Sequence, residues 1–262
     1  MKRILSVFMI FSMLFATAGC STKSNPQAVT KTIGEMAYDT NGGKASYIIV
    51  FEGQDYVPYY VASSNYRGKT LLLRMSALSK EMSMSTQTGY LNSEVDKYLN
   101  SEYLDNLNDV AKLIYPTTID VFNPLSSEET IERKAFLLSF SEMGFKALNE
   151  DTEGLAFFKD EDHSICYEHP YVKDGPRPVW LRDSYFTNGS DKANTMCVNE
   201  CGELTSKDSN ELCGVRPAFC VNSDELVVLV DLSGKTTASG TSLGWKYVFY
   251  TSDAVPYIKQ PK

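Results

Sequence analysis

The densest group of chemically capable side chains lies between Asp160 and His169, where Asp160, Glu161, Asp162, His163, Cys166, Glu168 and His169 include both histidines of the chain. Two imidazoles with a thiol between them suit a transition metal, and the carboxylates suit calcium. The H-x-x-C-x-x-H spacing is not a standard zinc pattern, however, and acid-rich loops are ordinarily just solvated. His163 and His169 therefore stay weak metal candidates, and no metal or cofactor is expected. Arg182 and Arg216 form a second group. A guanidinium beside Trp180, or between Val215 and Pro217, serves an acidic ligand or satisfies a buried carboxylate and backbone carbonyls. Both arginines sit in strand-like sequence, where the structural use is expected, with Trp180 and Arg216 in the core. A hydrolase has little support, because no H-E-x-x-H, P-loop or G-x-G-x-x-G occurs and two neighbouring histidines leave little room for a dispersed triad.

The cysteines carry the third possible chemistry. Cys197, Cys201, Cys213 and Cys220 fall within 24 residues, and Cys166 and Cys20 complete the set. Cys197 and Cys201 flank a turn-like segment, and Cys213 and Cys220 flank Gly214 to Phe219. These four are disulfide candidates if the chain is exported, with the pairing left open by spacing alone.

Export is what the first twenty residues suggest. Lys2 and Arg3 precede fifteen almost wholly apolar residues from Ile4 to Ala18, followed by Gly19 and Cys20. A helix of that length rises about 22 Å, short of a hydrocarbon core of roughly 30 Å. The segment resembles a bacterial lipoprotein signal, with residues 1–19 removed and Cys20 carrying the lipid, although Thr17 replaces the usual leucine. Residues 20–32 read as the lipidated cysteine and a flexible polar stalk. A lipid on Cys20 would hold the protein to the membrane, on its extracellular face. Loss of Lys2 and Arg3 lowers the basic count from 25 to 23 against 33 acids, which argues against nucleic acid as a partner.

Residues 33–262 are expected to form a single domain. Ser46 to Phe51, Tyr56 to Ala62 and Thr70 to Met75 read as consecutive antiparallel strands. Ser93 with Asp96 three residues on reads as a helix start, with Leu104, Leu107, Val110 and Leu113 along a second helix. Ser126 to Glu129 reads as another helix start, Ala135 to Leu138 as a buried strand, Glu142 to Leu148 as a helix, and Asn149 to Pro178 as one long surface loop. Strand-like runs follow at Val179 to Arg182, Ala193 to Val198, Val215 to Val221, Leu226 to Val230 and Lys246 to Tyr250. The pattern predicts an α+β fold, loop-rich, with an antiparallel sheet and a few helices.

Four ordered segments carry a resemblance. Tyr90-Leu91-Asn92-Ser93 with Lys97-Tyr98-Leu99-Asn100, Ala135-Phe136-Leu137-Leu138-Ser139 with Glu142, Val179-Trp180-Leu181-Arg182, and Gly214-Val215-Arg216-Pro217-Ala218-Phe219 together resemble an uncharacterised domain family common in Firmicutes and their phages. The last two are similar to elements of the C-type-lectin-like fold shared with formylglycine-generating enzymes. The resemblance implies a non-enzymatic binding module recognising a surface protein or glycan. Tyr167, Tyr171, Tyr185 and Phe186, with Arg182, are then the candidate ligand contacts, since tyrosines bring large contact area with few rotamers to freeze. It also leaves two alternatives, a thiol-dependent oxidoreductase and a purely structural envelope lipoprotein. The calcium motifs by which true C-type lectins read sugars, E-P-N or Q-P-D with W-N-D, are absent.

Overall fold

A computed structural model describes residues 28–85, 89–123, 127–145, 154–159, 177–186 and 193–258. The metal candidates His163 and His169, the aromatic candidates Tyr167 and Tyr171, and Cys20 and Cys166 lie outside the described residues. No helix among the described residues is long and apolar enough to cross a membrane.

Fourteen strands are present among the described residues. They are β1 (Thr30–Thr32), β2 (Tyr47–Glu52), β3 (Asp55–Tyr66), β4 (Lys69–Arg74), β5 (Ile114–Tyr115), β6 (Thr117–Asn123), β7 (Ser127–Arg133), β8 (Ala135–Phe136), β9 (Val179–Phe186), β10 (Ala193–Val198), β11 (Leu204–Asp208), β12 (Ala218–Val221), β13 (Leu226–Asp231) and β14 (Trp245–Phe249). The main sheet runs β1-β13-β14-β2-β3-β4-β12-β5, with β8 also paired to β12. Its pairs are antiparallel except β14 with β2. A second sheet has the order β11-β10-β9, and β6 and β7 form a separate hairpin. Helices are few and short, α1 (Glu94–Leu99) and α2 (Glu102–Asp105), with a 3-10 turn over Asn108–Lys112. The fold is α+β and rich in sheet.

The apolar pattern explains the layers. Along β2, Ile48 and Val50 enter the main core while Ile49 and Phe51 enter a smaller cluster on the other face with Val228, Val230 and Val248. A strand covered on both faces needs an unbroken apolar run, and Ile48 to Phe51 is one. The β2–β3 turn is closed by Gly53, whose φ is +57°. An added Cβ there would lie 2.7 Å from Asn106 Oδ1, so a larger residue would be strained at this φ and would have to displace the Asn106 carboxamide.

Ser93 caps α1 as its spacing implies, its Oγ accepting from Asp96 N at 3.0 Å. Two expected helices do not appear among the described residues, which leave out Ser126 and residues 146–148. Ser127 to Arg133 forms β7, because exposed Thr130 and Glu132 alternate with half-buried Glu129, Ile131 and Arg133, which suits a hairpin registered on β6, Ile131 opposite Ile119. Glu142 begins no helix among the described residues; Ser139 to Glu142 closes instead into a turn, with Ser139 N donating to Glu142 Oε2 and Glu142 N donating to Ser139 Oγ. That reciprocal pair is capping-box chemistry spent on a loop.

One ion pair sits inside the main core. Arg74 Nε and NH2 donate to Glu52 at 2.9 and 3.0 Å, and both side chains are almost fully buried. Tyr59 donates to the same carboxylate, Tyr59 and Tyr103 share a hydrogen bond, and Arg74 NH1 reaches Ser76 O at 2.8 Å. Burial drives both tyrosine pKa values up, and the Glu52 charge pushes the same way. Each charged atom thus has partners, which is the condition for tolerating a buried pair. Arg74→Met alone should lower unfolding free energy by ~3–5 kcal/mol in urea titration, and adding Glu52→Leu should recover most of that loss. A single-mutant effect under ~1 kcal/mol would mean the pair is solvated in solution.

Candidate functional site

The four motif segments converge, and the point where they meet is buried. Trp180 N donates to Gly214 O at 3.0 Å, Arg182 N to Leu138 O at 3.1 Å, and the Trp180 indole to Met82 O at 2.7 Å. Arg182 is 2 % exposed. Its NH1 and NH2 each contact Glu142 at 2.5 Å, its NH1 also donates to Leu137 O, and its Nε donates to Asp120 O. Glu142 in turn accepts from Tyr66 at 2.6 Å. Burial would raise the Glu142 pKa, but the Arg182 guanidinium and these donors hold it below the usual carboxylate range. Arg216 is also buried, its Nε donating to Arg74 O at 2.9 Å, and Trp180 is buried beside it. The guanidinium offered by sequence to a ligand is therefore turned inward, onto Glu142.

Asp183, next along β9, grips the same turn by accepting from Phe140 N at 2.7 Å. Burial lifts its pKa to about 6, against the downward pull of Arg182. Of the aromatic candidates on β9, Tyr185 is exposed, with its hydroxyl 2.7 Å from Ser206 Oγ, while the side chain of Phe186 lies outside the described residues. Cys197, Cys213 and Cys220 are buried, and Cys201 is exposed on the turn after β10. All four are free thiols here. Burial pushes the Cys220 pKa up to about 12, which makes it an inert packing group.

Solvent reaches the motifs instead at an open cleft of about 600 Å³ beside α1, lined by Asn92, Lys97, Asn100, Leu104, Arg133 and Lys134 among others. Its floor is braced by Asp96, which accepts from Arg133 Nε at 2.7 Å, Arg133 NH2 at 2.8 Å and Asn92 N at 3.0 Å. Asn100 joins the end of α1 to β8: its carboxamide donates to Ala135 O and accepts from the Lys134 and Ala135 amides. Lys97 and Lys134, both exposed, line the opening. The cleft offers ammonium, guanidinium and carboxamide donors over a patch of Leu104 and Pro116. Sequence reading assigned this helix to the core alone. The signal was there in Asn92, Lys97 and Asn100, polar members of the first motif that no core stripe requires.

A second feature escaped the sequence reading. Gly240-Thr241-Ser242-Leu243-Gly244 matches G-x-S-x-G, the pentapeptide of a nucleophile elbow. That role needs a sharp turn from strand to helix. Here the segment lies in the connection between two strands, β13 and β14, with Ser242 bridged to Thr236 and Leu243 N donating to Lys235 O. The local geometry is a hairpin turn.

A titration test follows from Asp183. Its folded pKa lies above its ordinary value near 3.8, so the native state holds the proton more tightly and the favourable contribution, complete below pH 4, is lost as pH rises through about 6. Glu142 acts oppositely, its contribution being present above its ordinary 4.5 and lost in acid. Asp183→Asn should therefore gain on the parent protein between pH 4.5 and 7.5, by up to ~3 kcal/mol in chemical unfolding. A stability gap independent of pH would contradict the assignment.

No curated protein and no solved structure matches the chain. Residues 67–223, more than half of the sequence, match the family described as a domain of unknown function (DUF6273). That span contains the four motif segments, the buried fork of Arg182 on Glu142 and the cleft beside α1, and the chain belongs to this family.

Proposed function

We propose that this protein is a lipid-anchored extracellular binding module, held by Cys20 to the outer face of a bacterial membrane, with a C-type-lectin-like domain that recognises a surface glycan at the cleft beside α1. The observation that carries this reading is the cleft itself. Its volume falls within the range of small-ligand sites, and its lining is polar, with Lys97, Arg133 and Lys134 against Asp96 and Glu132, and braced from beneath. A polyhydroxylated ligand suits such a surface, because carboxamide and ammonium groups bond hydroxyls and ring oxygens while Leu104 and Pro116 meet the apolar face of a sugar. The three cations of the lining outnumber its two carboxylates, Asp96 and Glu132, and favour glycans that carry acidic groups. Tyr185, exposed on β9, remains a candidate for further contact.

The rival oxidoreductase needs two thiols in an accessible cleft. Cys197 and Cys213 are each 0 % exposed, which favours the binding reading. A surface protein as ligand, or a purely structural envelope role, is separated by experiment. The soluble chain from Ser21 to Lys262 should give signal on an array of bacterial surface glycans, and Lys97→Ala with Lys134→Ala should weaken the best hit roughly tenfold, at an unchanged melting temperature. Signal only on a protein array would transfer the reading to a protein partner. Silence on both arrays, or binding untouched by the two substitutions, would overturn the cleft assignment.

A further inference from the structure

One end of the main sheet gathers side chains that the core does not use. β13 runs antiparallel to β1 and to β14, and β14 runs parallel to β2, so the starts of β1, β14 and β2 lie beside the end of β13. Leu229 N donating to Val29 O carries the β1–β13 pairing one residue further toward that end. Val29, Tyr47 and Trp245 are all exposed there, Trp245 by 56 %. Leaving so large a ring in water forgoes the gain of burying it. Two lysines stand among these groups. The Lys31 ammonium lies 5.7 Å from the centre of the Tyr247 ring, and that of Lys246 lies 5.2 Å from the centre of the Tyr47 ring. Asp231, opposite Trp245 in the β13–β14 register, is the carboxylate that these strands bring to the same end. All of these residues lie outside the span 67–223 shared with the family.

We propose that this end of the sheet rests in the headgroup layer of the membrane that holds Cys20, with Trp245 and Tyr47 at the lipid–water boundary and Lys31 and Lys246 on lipid phosphates. This goes beyond the glycan reading of the cleft and depends only on lipidation of Cys20. Seven residues separate Cys20 from Ala28, which immediately precedes Val29. Even fully extended, that length of chain spans at most about 28 Å. A compact domain of this size is roughly 45 Å across. With Cys20 in the membrane, the end of the sheet at Val29 is within reach of the headgroups and the opposite side of the domain is not. Tryptophan and tyrosine suit that layer, because the ring meets lipid while the polar atom stays wet. Lysine stems cover apolar surface while their ammonium groups reach phosphate. The chain as a whole is acidic, 33 acids against 25 bases, so an anionic leaflet repels most of its surface and admits the end where lysines gather. A second copy docked here about a two-fold axis would instead bring the lysine-bearing surface against itself. The acyl chains supply the anchorage, and the contact sets the orientation of the domain on it.

The test is tryptophan fluorescence, since the chain has two tryptophans and Trp180 is only 1 % exposed. The full chain, recovered from a host that processes lipoproteins, is added to vesicles of phosphatidylglycerol and phosphatidylcholine whose acyl chains are brominated close to the headgroup. Brominated lipid should quench the Trp245 emission by roughly half relative to unbrominated lipid. Trp245→Phe should leave only the unquenched Trp180 emission, at an unchanged melting temperature. Lys31→Ala with Lys246→Ala should reduce the quenching about twofold. The mass of the tryptic peptide Cys20 to Lys23 reports the lipid independently. A lipidated Cys20 with Trp245 unquenched would overturn the proposal and leave the anchor standing, whereas an unmodified Cys20 would overturn both. Cross-linking of two chains through this end, with Trp245 shielded from brominated lipid and from iodide alike, would assign the surface to a second copy and also overturn it.

Discussion

The fork of Arg182 on Glu142 is the constraint on which the shared part of the domain depends. It joins β9, the Ser139 to Glu142 turn, β6 through Asp120 O, and β3 through Tyr66. A guanidinium and a carboxylate taken out of water together cost several kcal/mol each, and only a full set of partners offsets that cost. The fold supplies the set: two backbone carbonyls for the arginine, and a backbone amide and a phenol for the glutamate. The same logic recurs at Arg74 with Glu52 and at Arg133 with Asp96. Arg182 ties β9 to a turn and Arg133 ties β7 to α1, while Arg74 and Glu52 join the ends of β4 and β2.

That use of arginine keeps the motif guanidiniums inside the fold. Motifs which look chemical in sequence, W-L-R and G-V-R-P-A, are spent on packing, with Trp180 and Arg216 buried and Arg182 committed to Glu142. The exposed consequence of the arrangement appears one layer out, where Asp96 and Asn100 turn their polar atoms to β7 and β8 and leave Lys97 and Lys134 at the rim of the cleft. In the proposed reading, stability and recognition are thus carried by different faces of α1.

The strands were the most legible part of the fold, because β2, β3, β13 and β14 are compact runs rich in β-branched and aromatic residues, and β4 carries the apolar run Leu71 to Leu73. The Ser93 cap was legible for the same local reason. The β6–β7 hairpin was not, since Ser126-Ser127-Glu128-Glu129 carries a helix-start pattern that pairing with β6 overrides. Nor was the turn at Ser139, where a capping box closes without a helix. The buried pairs were invisible because their partners are far apart in sequence, Glu52 with Arg74 and Glu142 with Arg182; charge alone does not announce that a residue will be buried. The cleft was half legible. Its polar residues stood in the first motif, but their surplus over what a core helix needs becomes evident only once Val95 and Leu99 are seen to fill the core.

Whether Arg182 works inward, against Glu142, is read by a double-mutant cycle in urea unfolding with Arg182→Met, Glu142→Gln and the pair together. Strong coupling, ~2–3 kcal/mol, is predicted, with the double variant less damaged than the two single losses added. Coupling below ~0.5 kcal/mol would mean that the two side chains do not face each other in solution, and would return Arg182 to the list of ligand contacts.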